Sequence, residues 1–209
     1  RRKNALTEGS IGTLGQKMEH VVGLREALTA VENSQLWQEH KQNQDPAIGY
    51  GVAAGYLSCG LGKGIPDSAK VEISENEKGH YVIRIGLVDI GQGSKTALTA
   101  IAADVLDCRM ENVTIIMADT NTTYDCGSTA GSRSVFIAGN AIIAAAKEFR
   151  KKKEEKADNP KAIGSATFPE SSFSFPNPGF PHAMYTFIAQ AVKLQINPVS
   201  GQIRLLDIF

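Results

Sequence analysis

Twice in this 209-residue chain a strand-like apolar run passes through a loop of glycines and hydroxyls into an apolar run with helical spacing. The first passage takes Tyr81, Ile83, Ile85 and Leu87, alternating with their neighbours in a strand reaching Asp89, into Leu98, Ile101, Ala102 and Val105 at i, i+3, i+4 and i+7. The second takes the short run Val113–Met117 into Val135, Phe136, Gly139, Ile142, Ile143 and Ala146, a small apolar helical face extending to about Phe149. Gly139 on that face permits close approach of a neighbouring backbone. A chain built this way brings two helix starts, with their unpaired N–H groups, to one edge of a sheet.

The remaining elements are consistent with an α+β fold. Residues 1–22 are polar and punctuated by Gly9, Gly12 and Gly15, as in a leading arm. From Gly23 the spacing of Leu24, Leu28 and Val31 predicts one helix through Trp37, and Ile48–Leu57 reads as a strand. Val71–Ser74 and the strand from Tyr81 flank the polar turn Glu75–Gly79, which predicts a hairpin. Arg150–Asn159 is a charge run, and Pro169, Pro176, Pro178 and Pro181 follow among serines and phenylalanines, so 151–181 reads as a linker. Phe187–Ile196 and Gln202–Phe209 alternate around the turn Asn197–Gly201. The expected architecture is a mixed sheet with helices packed mainly on one side. Its divisions are 1–22 as the arm, 23–150 as the main α+β region, 151–181 as the linker and 182–209 as a returning strand pair.

Charge and cysteine usage narrow the function classes. Lys plus Arg equals Asp plus Glu, 22 against 22, so no basic excess draws the chain to nucleic acid or to an acidic membrane surface. No apolar run reaches the roughly 18 residues of a spanning helix. Cys59, Cys108 and Cys126 are odd in number and widely spaced, which argues against a disulfide framework or a zinc or iron–sulfur site and suits a reducing, cytoplasmic setting. His20, His40, His80 and His182 share no metal-ligand spacing, and no metal ligand is assigned. Cys126, Trp37 and the Lys151–Lys156 run read most simply as an incidental thiol, a packing aromatic and a solvated helix end.

The first loop runs Asp89-Ile90-Gly91-Gln92-Gly93-Ser94-Lys95-Thr96. Gly91 and Gly93 flank a glutamine whose amide both donates and accepts without adding charge, and Ser94 or Thr96 lies near the helix start. The spacing is neither a P-loop nor a dinucleotide fingerprint. The second loop, Asp119 to Arg133, is crowded with hydroxyls: Ser128, Thr129 and Ser132, with amides near Gly131, are candidates to wrap a pyrophosphate. Arg133 would pair with a phosphate or fix the loop through Asp119 or Asp125. Each loop alone is equally an ordinary capped turn; the two together favour a ligand site.

In this order, Gly91-Gln92-Gly93-Ser94-Lys95-Thr96, Asp119-Thr120, Ser128-Thr129-Ala130-Gly131-Ser132-Arg133 and Gly139-Asn140-Ala141 resemble the xanthine dehydrogenase and aldehyde oxidoreductase family of molybdenum hydroxylases. Arg2–Leu6, Gly23–Leu28, Gly179-Phe180-Pro181-His182 and the Asn197–Gly201 turn are similar too, so the resemblance covers nearly the whole chain. It implies a fragment of the cofactor-binding subunit of an oxidoreductase that hydroxylates an aldehyde or N-heterocycle with oxygen from water. The implied cofactor is molybdopterin with molybdenum, in the cytosine dinucleotide form, and the implied partners are iron–sulfur and flavin subunits or domains. By resemblance Gln92 lies beside the metal and the dithiolene end of the pterin, and Ser128–Arg133 contacts pterin and phosphate. The family's base, a glutamate in a glycine-rich motif, is expected beyond Phe209, and a further cofactor loop upstream of Arg1. No catalytic residue is therefore assigned here, and the isolated chain is expected to be inactive and empty of cofactor. Two alternatives stay open: a cofactor-independent nucleotide- or phosphate-binding module, and a structural relative without cofactor.

Overall fold

The computed structural model describes residues 1–12, 15–19, 21–170 and 181–209. His20, Gly179 and Phe180 lie outside the described residues, as does the 171–180 part of the expected linker. The described chain forms two compact units, 1–58 with 171–209 and 59–170.

In the first unit the helical period from Leu24 is interrupted. Helix α1 spans Leu24–Asn33 and α2 spans Gln35–His40. Ser34 separates them because its extended backbone and its Oγ, which accepts the Trp37 N–H at 3.2 Å, make it the N-cap of α2. The single helix expected through Trp37 is therefore two. Strands β1 (Ile48–Cys59), β6 (Met184–Ile196) and β7 (Ile203–Ile208) form a three-stranded sheet in the order β1-β6-β7. Leu24 and Leu28 of α1 pack with Val52 of β1 and Phe187 of β6, while Val31 and Leu36 close on Ala191.

The second unit holds β2 (Ser68–Glu75), β3 (Tyr81–Ile85), α3 (Ser94–Leu106), β4 (Val113–Met117), α4 (Ser134–Glu154) and β5 (Lys161–Thr167). Its sheet has the order β4-β3-β2-β5: β3 pairs β2 antiparallel, as the hairpin pattern predicts, and β4 parallel across the α3 connection. Val71, Ile73, Ile83 and Ile85 are fully buried beneath α3 and α4 together with Leu98, Ile137, Ile142 and Phe149. The other face carries the cross-strand pair Glu72–Arg84, at 3.4 Å. The α+β class and its one-sided helices stand, but the strands divide between two sheets, of which the four-stranded one is mixed.

Three sequence expectations change in this unit. The strand from Tyr81 ends at Ile85 rather than Asp89, its last ladder bond being Ala118 N–H to Ile85 C=O at 3.0 Å. Helix α4 continues through Lys151–Glu154, where a basic last turn suits the negative end of the helix dipole and Lys153 reaches Glu75 at 2.8 Å. The expected linker then contains β5, paired antiparallel along β2 from Ser68↔Thr167 to Ser74↔Lys161. Its inward residues Ala162 and Gly164 are small because α4 lies directly over them; a Cβ on Gly164 would stand 2.2 Å from the Ala141 carbonyl oxygen.

Candidate functional site

The two strand-to-helix loops meet within the second unit. Thr129 Oγ1 donates to the Val88 carbonyl at 2.8 Å, and the Val88 N–H returns to the same hydroxyl at 3.2 Å, tying loops 41 residues apart. Beside this tie lies a cavity of about 400 Å³ lined by Ile90, Gln92 and Ser94 from the first loop and by Thr129, Gly131 and Ser132, among others, from the second. Five predicted site residues are thus brought to one cavity. Gly91, Gly93, Thr96, Ser128 and Arg133 do not line it.

The two helix starts, alike in sequence pattern, differ in electrostatics. At α3 the Asp89 carboxylate accepts the N–H groups of Gly91 at 3.0 Å, Gly93 at 3.2 Å and Lys95 at 2.9 Å. The Lys95 and then the Gly91 N–H groups hold this carboxyl below the usual Asp range. The α3 start is therefore already occupied by an anion of the chain's own. At α4 no side chain caps the helix, and the first bond into it is Ile137 N–H to Arg133 C=O at 2.9 Å. The N–H groups of Ser134 and Val135 consequently have no helical acceptor, and both residues line the cavity. Of the two starts, α4 is the one open to an anionic ligand.

Gln92 lines the same cavity. Its Oε1 accepts the Ile90 N–H at 2.8 Å and its Nε2 donates to Ser94 Oγ at 2.7 Å, so the amide is held by its own loop at the cavity wall. Ser94 is almost wholly buried, a polar floor to this wall.

Arg133 is corrected in role. Its side chain is completely buried, and Nε donates to Asp67 Oδ1, Nη1 to the Cys126 and Ser128 carbonyls, each at 2.8 Å, and Nη2 to the Ser68 carbonyl at 3.0 Å. With its donors directed inward it faces no phosphate; it fixes the second loop, and through Asp67 rather than Asp119 or Asp125. Asp119 instead closes its own turn, accepting Thr122 Oγ1 at 2.7 Å and Asn121 N–H at 3.0 Å, which lowers its pKa, the threonine bond first. A further anchor is Gly131, whose carbonyl accepts the Gly60 N–H at 2.8 Å and whose absent Cβ would stand 2.4 Å from the Gly60 oxygen. Sequence reasoning missed Asp67, Asp89 and Gly60. Asp89 had a local signal, a carboxylate just ahead of a Gly-x-Gly helix start; Asp67, 66 residues from its partner, had none.

The cavity wall is uncharged, with the Gln92 amide and the Ser94 hydroxyl from the first loop and the hydroxyls of Thr129, Ser132 and Ser134 beside open helix N–H groups from the second. A ligand matching it has a neutral hydrogen-bonding group and an anionic group. Among the described residues no His, Cys, Asp and Glu group is arranged to hold a metal by side chains alone. The model for the molybdopterin cofactor-binding domain matches residues 26–170. The chain belongs to this family.

Its relatives are molybdenum hydroxylases of the xanthine dehydrogenase and aldehyde oxidoreductase group. Over 99% of this molybdopterin-domain chain there is 25% identity to a probable xanthine dehydrogenase subunit of Bacillus subtilis. Over 56% there is 38% identity to a probable hypoxanthine oxidase of Escherichia coli. The chain spans 32% and 12% of these two proteins. The aldehyde oxidoreductase of Desulfovibrio desulfuricans shares the fold over 99% of the chain and 25% of its own length, with a TM-score of 0.73 and 23% identity. No helix is long and apolar enough to cross a membrane, among the described residues.

Proposed function

We propose that this chain forms one wall of the cofactor site in a molybdenum hydroxylase subunit that oxidises an aldehyde or N-heterocycle with oxygen from water. The observation that carries this reading is the pairing, around one cavity, of the Gln92 amide with the uncapped start of α4. Bound there, a molybdopterin would supply the two-electron redox chemistry of the hydroxylation. The chain's own residues bind and orient. Gln92 presents its neutral, loop-held amide to the end of the pterin nearest the metal, Thr129 and Ser132 border the ring, and the N–H groups of Ser134 and Val135 receive phosphate. At about 400 Å³ the cavity admits only part of a dinucleotide, so the cytosine nucleotide would extend past it. Substrate, the proton-accepting glutamate, and iron–sulfur and flavin partners belong to the rest of the enzyme. A cytoplasmic setting suits three cysteines that form no disulfide among the described residues.

The test uses the natural full-length polypeptide containing this chain, purified from a host that makes the cofactor. Gln92→Ala is expected to lower kcat by about tenfold or more while molybdenum content stays within about a factor of two. Full activity at full metal loading would sink the role given to Gln92. Absence of both molybdenum and released cytidine nucleotide from the folded, assembled parent would sink the cofactor reading itself.

A further inference from the structure

Gln92 is held at its backbone and again at its amide. Asp89 accepts the N–H groups of Gly91, Gly93 and Lys95, so both residues flanking Gln92 are tied to one carboxylate. Several rotatable bonds still separate that backbone from the side-chain amide, and only what the amide itself touches can still them.

One neighbour tells the two ends of the amide apart. The atom 2.8 Å from the Ile90 nitrogen must be the oxygen, because a backbone N–H can only donate. Nε2 therefore faces Ser94, whose Oγ lies 2.7 Å away, and Val88, whose carbonyl lies 3.4 Å away. These two contacts are unequal. The first is a short hydrogen bond to a residue only 1% exposed. The second exceeds the usual range of about 2.7–3.2 Å, and its carbonyl already accepts Thr129 Oγ1 at 2.8 Å. One amide proton is committed, and the other is loosely held.

We infer that Ser94 is the positioning residue of Gln92: its Oγ accepts one Nε2 proton and leaves the other as the proton that Gln92 can give to a ligand in the cavity. Of the partners of this amide Ser94 is the one side chain, since the Ile90 N–H and the Val88 C=O are backbone groups. Without the Ser94 oxygen, Nε2 keeps only the distant Val88 carbonyl, and the amide can swing about its bond to Ile90. Ser94 opens helix α3, which packs on the core through Leu98 and Ala102, so the amide is referenced to a buried helix rather than to its own loop. The effect on turnover rests on the place proposed above for Gln92 beside the cofactor; the hold on the amide does not.

Nuclear magnetic resonance of the 209-residue chain without cofactor reads that hold directly. The two Gln92 side-chain amide protons are expected to be well separated, one of them shifted downfield by its bond to Ser94. Ser94→Ala is expected to return that proton to the position of an exposed glutamine while the Leu98 and Ala102 amides keep theirs. In the natural full-length polypeptide, Ser94→Ala is expected to lower kcat by roughly three- to tenfold, the worth of one hydrogen bond, with KM and molybdenum content unchanged. Added to Gln92→Ala it is expected to lower kcat no further. Gln92 protons that lie at exposed-glutamine positions in the parent chain, or that Ser94→Ala leaves unmoved, overturn the proposal. So does an unaltered kcat in Ser94→Ala where Gln92→Ala is impaired. If neither variant is impaired, it is the place of Gln92 beside the cofactor that fails, and the resonances alone decide whether Ser94 holds the amide.

Discussion

Arg133 is where the candidate site depends most on one side chain. A buried guanidinium needs its charge paired and its N–H groups met; Asp67 pairs the charge, and Asp67 with three carbonyls takes four of the five N–H groups. The bonds converge on Cys126 and Ser128, so the arginine sets the path of the loop that ends at Thr129 and the α4 start. Arg133→Ala leaves the Asp67 carboxylate buried without its cation and is expected to cost about 3–5 kcal/mol of unfolding free energy. Urea unfolding measures this, and a loss under about 1 kcal/mol would show that water or another group satisfies Asp67 without the arginine. The residue type was conspicuous in the sequence, but its direction was not. An arginine beside serines and glycines reads equally as a phosphate ligand or as a loop clamp, and only the distant Asp67 decides between them.

At the scale of elements, the two helix starts show what patterning can and cannot convey. Both strand–loop–helix passages were legible from periodicity, because β3, α3, β4 and α4 each bury one apolar face. Which start is free was not legible, since it depends on whether a nearby carboxylate turns inward, as Asp89 does. Asp89 also gives α3 a pH dependence. Its folded pKa lies below the unfolded value, so its capping contribution is complete above the unfolded Asp pKa of about 3.9 and is lost as pH falls through the lowered folded value. Asp89→Ala is expected to lower Tm at neutral pH, with the gap to the parent chain closing as pH falls from about 5 to below 3. A gap that stays constant over this range would mean that the carboxylate charge is not what holds α3. Strand β5 escaped the sequence reading for a packing reason: its buried side is Ala162 and Gly164, and its large residue Ile163 points outward, inverting the usual alternation.

For the whole molecule, chain order and spatial order diverge. The first unit is discontinuous: α1, α2 and β1 come from its beginning, while β6, which supplies Phe187 and Ala191 to their core, comes from its end. The second unit is one continuous segment, 59–170, with its own buried core and both site loops. Sequence division placed a boundary near Arg150 because charge density rises there, yet that charge coats the end of α4, and the compact unit continues through β5 to Glu170. The continuous unit therefore has what autonomous folding requires, whereas residues 1–58 lack the strand against which their helices pack. Expressed alone, 59–170 is expected to show a single cooperative thermal transition with native-like circular dichroism, and 1–58 alone none. If 59–170 unfolds without cooperativity, its loops take their order from the rest of the chain, and the cavity between Gln92 and the α4 start is a property of the larger assembly.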